Sequence, residues 1–301
     1  MGLAAKTAPS FYRLMKKKKI YRAISLVSLA VMLAAILSIG YMFVLYQKSN
    51  REYEELARAA RAAESAVLPD AQEEDAQAGG NAHIDWERTD YAVNPFDFEY
   101  LNSISEDIIG WLGVQGTEID YPILYDTGKL NYYLNHNYRG TFTPFGSAFV
   151  LSDNARDFTD FNTVVYGHNV LDGSMFNQLH KFEDREFFDT NKVIMVYTPT
   201  RVLRYQVFAA YKTDNLDQVR NFDYETPEGR QAYIDQIYTH DVKAFFDTEI
   251  EVTPDDRIIT LSTCIGNPAY RYLVQGVLVS DLEGIPVNAL GGGAAETGAG
   301  D

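Results

Sequence analysis

A single cysteine, Cys264, ends the segment IITLSTC. One thiol cannot close an intramolecular disulfide, and it cannot build a cysteine-rich zinc or iron–sulfur site. It is either a small buried hydrophobe or a group kept for its reactivity. Its place, at the C-terminal end of a strand-like run and just before the turn Ile265-Gly266-Asn267-Pro268, suits display at a rim. A thiolate displayed there is a nucleophile, and it needs a partner that moves protons.

The chain has five histidines. His83 lies in a linker-like stretch, and His180 and His240 lie in or after helix-like stretches, where surface or packing roles are expected. His136, in YYLNHNY, reads as structural in a polar turn. His168 differs. It follows NTVVY and Gly167 at a strand end, with Asn169 and the Asp172-Gly173 turn beyond, so its imidazole can project over an open barrel end. Arg271 opens the next strand, RYLVQGVLVS, and its parity matches Leu273 and Val277. It is either a salt-bridge partner or an anion stabiliser near the thiol. Neighbouring carboxylates such as Glu54-Glu55 and Asp255-Asp256 read as solvated charge. No phosphate-cradling loop and no metal-spaced histidine cluster occurs, so neither cofactor nor metal is expected.

The elements that must position these groups follow from composition and patterning. The 301 residues are 46% hydrophobic and 23% charged, enough for a core and unlike a disordered chain. The formal charge of −16 argues against nucleic acid as a partner. That charge is uneven, because residues 1–22 carry seven basic side chains and no acid, leaving −23 on the remainder. Residues 23–46 are uncharged. As a helix they span roughly 36 Å, enough to cross a bilayer with some tilt. The basic segment 1–22 is then cytoplasmic and the bulk of the chain outside, with Tyr41 and Tyr46 at the far interface. The apolar run exceeds a signal-peptide core, which favours a retained anchor.

Residues 47–83 read as a helical stalk followed by an acidic linker, and residues 289–301 as a flexible tail. Between them, residues 84–288 form the folded domain. Short Val-, Ile-, Tyr- and Thr-rich segments dominate it: IIGWLGV, SAFVLSD, TVVYGH, KVIMVYT, LRYQVFAAYKT, RIITLSTC and RYLVQGVLVS. A short helix is expected in FDFEYLNSISEDI, another over SMFNQLHKFEDREFF, and a third from Thr226 through DVKAFF, capped by Thr226 with Pro227 at its first turn. Strands without βαβ alternation predict a mainly β fold, a closed β-barrel with appended helices, preceded by one transmembrane helix.

The combination of TLSTC, a following-strand arginine and YGHN resembles the sortases, membrane-anchored cysteine transpeptidases of Gram-positive bacteria. The resemblance covers roughly residues 95–285, and YYLNHNY and GSAFVLSD fit the family's early strands. The stretch Tyr166 to Phe176, the serine inside TLSTC and the helix before the cysteine strand are class B-like. One departure is the absence of an acidic residue shortly after the cysteine. No second C-terminal hydrophobic segment and no lid motif is found, which argues against the pilin-polymerising class C.

The resemblance implies a sortase-type barrel and two-step acyl transfer. Cys264 attacks a threonine carbonyl in the C-terminal sorting signal of a client protein. An amine of the peptidoglycan cross-bridge or its lipid precursor then releases the thioacyl-enzyme. His168 moves protons, Arg271 stabilises charge, and Ser262, Thr263 and Tyr166 are candidate substrate contacts. The alternatives are a hydrolytic cysteine protease, a pilin-linking sortase or a non-catalytic surface-binding module on the same barrel.

Overall fold

The computed structural model describes residues 8–61, 84, 86, 93–128, 131–170, 173–214, 221–264 and 269–286. The chain divides into two compact units, residues 1–52 and 53–301. Helix α1, Ala8–Ala60, supplies most of the first. Among the described residues it is the one helix long and apolar enough to cross a membrane. Its apolar side chains stand exposed along that stretch, Leu37 and Ile39 among them. Hydrophobic residues on every side of a helix, with no protein against them, suit lipid rather than water.

The second unit is a β-barrel. The short strand β1 (Val93–Asn94) and helix α2 (Phe98–Ile104) lead into β2 (Ile108–Val114), β3 (Asp120–Asp126), β4 (Ala148–Leu151) and β5 (Asn162–Tyr166). A 3₁₀ segment (Phe176–Glu183) and helix α3 (Arg185–Thr190) follow. Then come β6 (Val193–Tyr197), β7 (Arg201–Asp214), helix α4 (Pro227–Ile237) and β8 (Phe245–Phe246). Strands β9 (Ile258–Cys264), β10 (Tyr270–Glu283) and β11 (Ile285–Pro286) complete it. The order β10-β9-β5-β4-β3-β2-β6-β7 closes on itself through a β10–β7 ladder, and β8 adds to the edge of β7. Closure leaves no open edge in the ring. β3–β4 and β5–β9 are parallel, and the other ring pairs are antiparallel. The expected closed barrel with appended helices is the fold observed.

Three elements differ from what the sequence pattern predicts. SMFNQLHKFEDREFF is not one helix. It breaks at Asp184, whose side chain accepts from Phe187 N at 2.9 Å and caps α3. The helix after Thr226 has the expected cap, Gly229 N donating to Thr226 Oγ1, but it stops at Ile237. Phe245 and Phe246 instead pair with Ala210 and Ala209, because the edge of β7 offers unpaired backbone groups that a helix would leave unmet. β3 carries Pro122 and so lacks a strand's usual signature. The register explains its tolerance: β4 joins β3 only from Ile123 onward, so Pro122 sits where that side of the strand is still open.

The barrel interior holds Leu112, Val150, Phe176, Tyr205, Leu261 and Tyr272, all buried. Outside, α4 lays Tyr233, Ile234 and Ile237 on Ile258, Leu273 and Val277. Gln275 is buried beneath that helix. Its amide nitrogen donates to Tyr233 Oη (2.6 Å) and Thr260 Oγ1 (2.8 Å), and its oxygen accepts from Tyr211 Oη (3.0 Å). A buried amide this fully satisfied pins α4 in one position.

Residues 53–61 of the segment read as a stalk belong to the barrel unit. Tyr53, Leu56, Ala57 and Ala60 are buried with Trp111, Leu124 and Tyr138. Tyr53 Oη donates to Gly146 O at 3.1 Å and shares a 2.7 Å hydrogen bond with Ser147 Oγ. Alanines chosen for helix propensity also allow close approach, which composition does not distinguish. Residues 62–83, including His83, and the tail 289–301 lie outside the described residues.

Arg61, just past that helix, meets the buried Asp120 at 3.4 Å, and Trp111 Nε1 donates to Asp120 Oδ1 at 2.6 Å. Burial lifts the Asp120 carboxyl from 3.8 to about 6, with Arg61 and Trp111 opposing. Between those values the folded state holds a proton that the unfolded state has released. Stability from this group is therefore lost as pH rises through the window from about 4 to 6. Asp120→Asn keeps an acceptor for Trp111 and never ionises. Its melting temperature is expected to exceed wild type at pH 7 by at most the equivalent of about 3 kcal/mol. That advantage is expected to vanish near pH 4. A variant less stable at pH 7 than at pH 4, relative to wild type, contradicts this.

Candidate active site

Three neighbouring strands bring the sequence-predicted groups together. Arg271 is the direct cross-strand partner of Cys264 in the antiparallel β9–β10 ladder. On the other side, β5 runs parallel to β9 with Tyr166 opposite Ser262. Gly167 N donates to Ser262 O at 3.1 Å, so the pairing continues past β5. His168 lies two residues beyond the last pair of that ladder, as Cys264 does on β9. Arg271 Nη1 donates to Tyr270 O at 3.1 Å, at the start of the strand that pairs with Cys264.

Strand alternation then sorts the remaining candidates. Cys264 and Ser262 point to the face that carries Leu273 and, further down, α4. Ser262 is buried there beside Tyr166, which is half-buried and whose ring stacks on Phe149 at 5.6 Å. Thr263 points the other way, into the barrel opposite Tyr272, and is buried. Thr263 Oγ1 has no hydrogen-bond partner among the described residues. The fold therefore brings Cys264, His168, Arg271, Ser262 and Tyr166 to one region, and turns Thr263 away. Cys264 itself is half-buried and free.

The turn carrying His168 depends on a missing side chain. A Cβ on Gly167 would run into the Phe176 ring. Phe176 N in turn donates to His168 O at 2.9 Å, tying the turn to the start of the 3₁₀ segment. The imidazole is held from the other side. His168 Nε2 lies 2.5 Å from Leu134 O, in a short 3₁₀ turn over Tyr132–Leu134. A carbonyl only accepts, so Nε2 carries the hydrogen and Nδ1 is the atom left to exchange protons. Gly146, at φ +57°, lets the chain pass that turn, since a Cβ there would sit 2.5 Å from Leu134 O.

His136 has the structural place expected of it. Its ring stacks on Tyr132 at 4.0 Å, and Nδ1 meets Tyr132 O at 2.9 Å. His240 stacks on Tyr211 at 4.3 Å, and burial lowers its tendency to protonate. His180 departs from the surface or packing role expected of it. Its Nε2 lies 3.2 Å from Cys264 O, beside Asn169, whose amide nitrogen donates to the same oxygen at 2.8 Å. The sequence pattern signals neither contact, because a 3₁₀ segment does not show which of its side chains meets a strand end 84 residues away.

A sortase domain model matches residues 112–279. The chain is 36% identical over 185 residues to Sortase B of Listeria monocytogenes, spanning 60% of this chain and 73% of that protein. It is 35% identical over 183 residues to Sortase B of Staphylococcus aureus, spanning 60% and 72%. The solved Staphylococcus aureus sortase B–substrate complex superposes with a TM-score of 0.61 at 27% identity, covering 78% of this chain and 97% of that one. With these matches and its one cysteine, the chain is a cysteine transpeptidase. The chain belongs to the sortase family and is class B-like. It is membrane-anchored, as the apolar helix indicates, and acts on sorting-signal substrates.

Proposed function

We propose that Cys264 is the nucleophile, His168 the proton-transfer residue and Arg271 the charge-stabilising residue of a two-step transfer. The thiolate of Cys264 attacks a threonine carbonyl of the sorting signal. The new C–S bond forms as the carbonyl π pair moves to oxygen, where the Arg271 guanidinium faces it. As the tetrahedral centre collapses, the C–N bond breaks and the departing amine takes a proton from His168 Nδ1. An amine of the cell-wall cross-bridge, or of its lipid precursor, attacks the thioester and returns a proton to His168. Cys264 leaves as thiolate. The observation that supports this reading is the register: Cys264 is paired with Arg271 on β10, and β5 pairs with β9 up to Tyr166–Ser262, two residues before His168 and Cys264. Ser262 and Tyr166 line the same face and are proposed to contact substrate. Thr263, turned inward, supports the strand.

Residues 23–46 are proposed as a single span, with the basic residues 1–22 inside and the barrel outside. Protoplasts carrying the full chain test both points in one experiment. They are given an external fluorogenic peptide library with a fixed threonine, with and without triglycine. Cleavage on intact protoplasts and a ligated triglycine product are expected. Free carboxylate alone in the presence of triglycine would favour hydrolysis. Cleavage only after lysis would reverse the orientation.

A further inference from the structure

The Cys264 carbonyl is at the very end of β9, in the last pair of the β9–β10 ladder. Side chains from beyond β5 meet it. Asn169 Nδ2 donates to it at 2.8 Å, and the same nitrogen lies 3.1 Å from His180 Nε2. Asn169 Oδ1 accepts from Asn177 Nδ2 at 2.5 Å. The amide orientation is therefore fixed, because a flip would set its oxygen against the Cys264 oxygen.

Behind Asn169 the order continues. His180 Nδ1 lies 2.7 Å from Glu183 Oε1, and Lys243 pairs with the other Glu183 oxygen. Burial alone would lift the Glu183 carboxyl, but hydrogen bonds from Lys243 and His180 hold it below the usual range. The carboxylate only accepts, so His180 Nδ1 carries a hydrogen. His180 Nε2 faces Asn169 Nδ2 at 3.1 Å, and that amide nitrogen in turn donates to Cys264 O. The His180 ring also lies against Tyr272, centroids 5.4 Å apart, directly beneath the strand pair that carries Cys264.

Asn169 is the residue after His168. One side chain thus ties the backbone of the proposed proton-transfer residue to the carbonyl of the proposed nucleophile, across 95 residues of chain. We propose that Asn169 is a positioning residue: its amide, oriented by His180, Glu183 and Asn177, fixes the Cys264 backbone and sets the separation of thiol and imidazole. The inference rests on Cys264 and His168 being the reacting pair. Nearness matters in two ways. It lets the proton pass, and it lets thiolate and imidazolium stabilise each other.

Because Cys264 is the only cysteine, iodoacetamide labelling of the full chain in detergent reads that one thiol. Asn169→Ala is expected to lower kcat by about 10–10²-fold with KM little changed, the cost of an ångström-scale misplacement. It is also expected to move the acid limb of the labelling profile to higher pH, which loss of folded protein alone does not do. His180→Gln, which can still hold Asn169, is expected to retain most of the rate. His180→Leu is expected to follow Asn169→Ala. Should Asn169→Ala fail to fold, the His180 pair carries the test by the same two readouts.

A wild-type kcat and an unmoved labelling profile in folded Asn169→Ala, or equal behaviour of the two His180 variants, overturns the proposal. Failure of the underlying reading looks different: Cys264→Ala would then keep peptide turnover, whatever the labelling profiles show.

Discussion

Cys264→Ala is expected to bring cleavage of a sorting peptide to background while leaving the melting transition in place. The thiol is half-buried at a strand end and free of any bridge, so removing its sulfur opens no large core cavity. Nothing else among the described residues can substitute for it as a nucleophile at that position. His168→Ala is expected to cost about 10²–10⁴-fold in kcat/KM, the usual worth of a positioned proton-transfer group. His136→Ala supplies the contrast. Its ring packs on Tyr132 and its Nδ1 meets a backbone carbonyl, so the loss should fall mainly on stability. Peptide cleavage and thermal melting on the same three variants decide the matter. Turnover by Cys264→Ala, or equal rate losses at His168 and His136 in folded proteins, would remove the assignment.

The sequence exposes this site because its parts lie at strand ends, and strand ends are marked locally. IITLSTC and NTVVYGH each run from β-branched residues into a turn, and strand parity alone sets Arg271 on the face of Leu273. A hairpin register is a short-range property. The parallel β5–β9 ladder is not, since it joins segments about a hundred residues apart, and it sets Tyr166 beside Ser262, two residues before His168 and Cys264. Asn169 and His180 stay hidden for the same reason. Their shared partner is a backbone oxygen, which leaves no trace in side-chain pattern. Thr263 errs in the opposite direction: it stands inside the motif, yet period-two alternation sends it to the barrel interior. The docked end of α1 shows a third kind of loss. Tyr53 and Ala60 sit in an Ala-, Glu- and Arg-rich stretch whose composition fits a solvated helix, and only the barrel wall they cover reveals an apolar stripe.

Arg271→Ala is expected to lose about 10²–10³-fold in kcat, the typical cost of removing one preorganised donor at an oxyanion. The residue is half-buried and pairs with Cys264 across the β9–β10 ladder. It cannot serve as the acid, because a guanidinium stays protonated throughout the range in which the enzyme can be assayed. Arg271→Lys should recover part of the rate, since it restores charge without the rigid pair of donors. Both variants should keep the two limbs of the pH–rate profile, because those limbs belong to the thiol and the imidazole. The strand itself should survive either change: Arg271 also pairs through its backbone with Thr213 on β7, and that ladder does not depend on the side chain. Loss of a limb in Arg271→Lys would mean that the guanidinium governs protonation of its neighbours. Near wild-type cleavage by Arg271→Ala would instead make it a structural residue and leave the developing negative charge without a side-chain donor from β10.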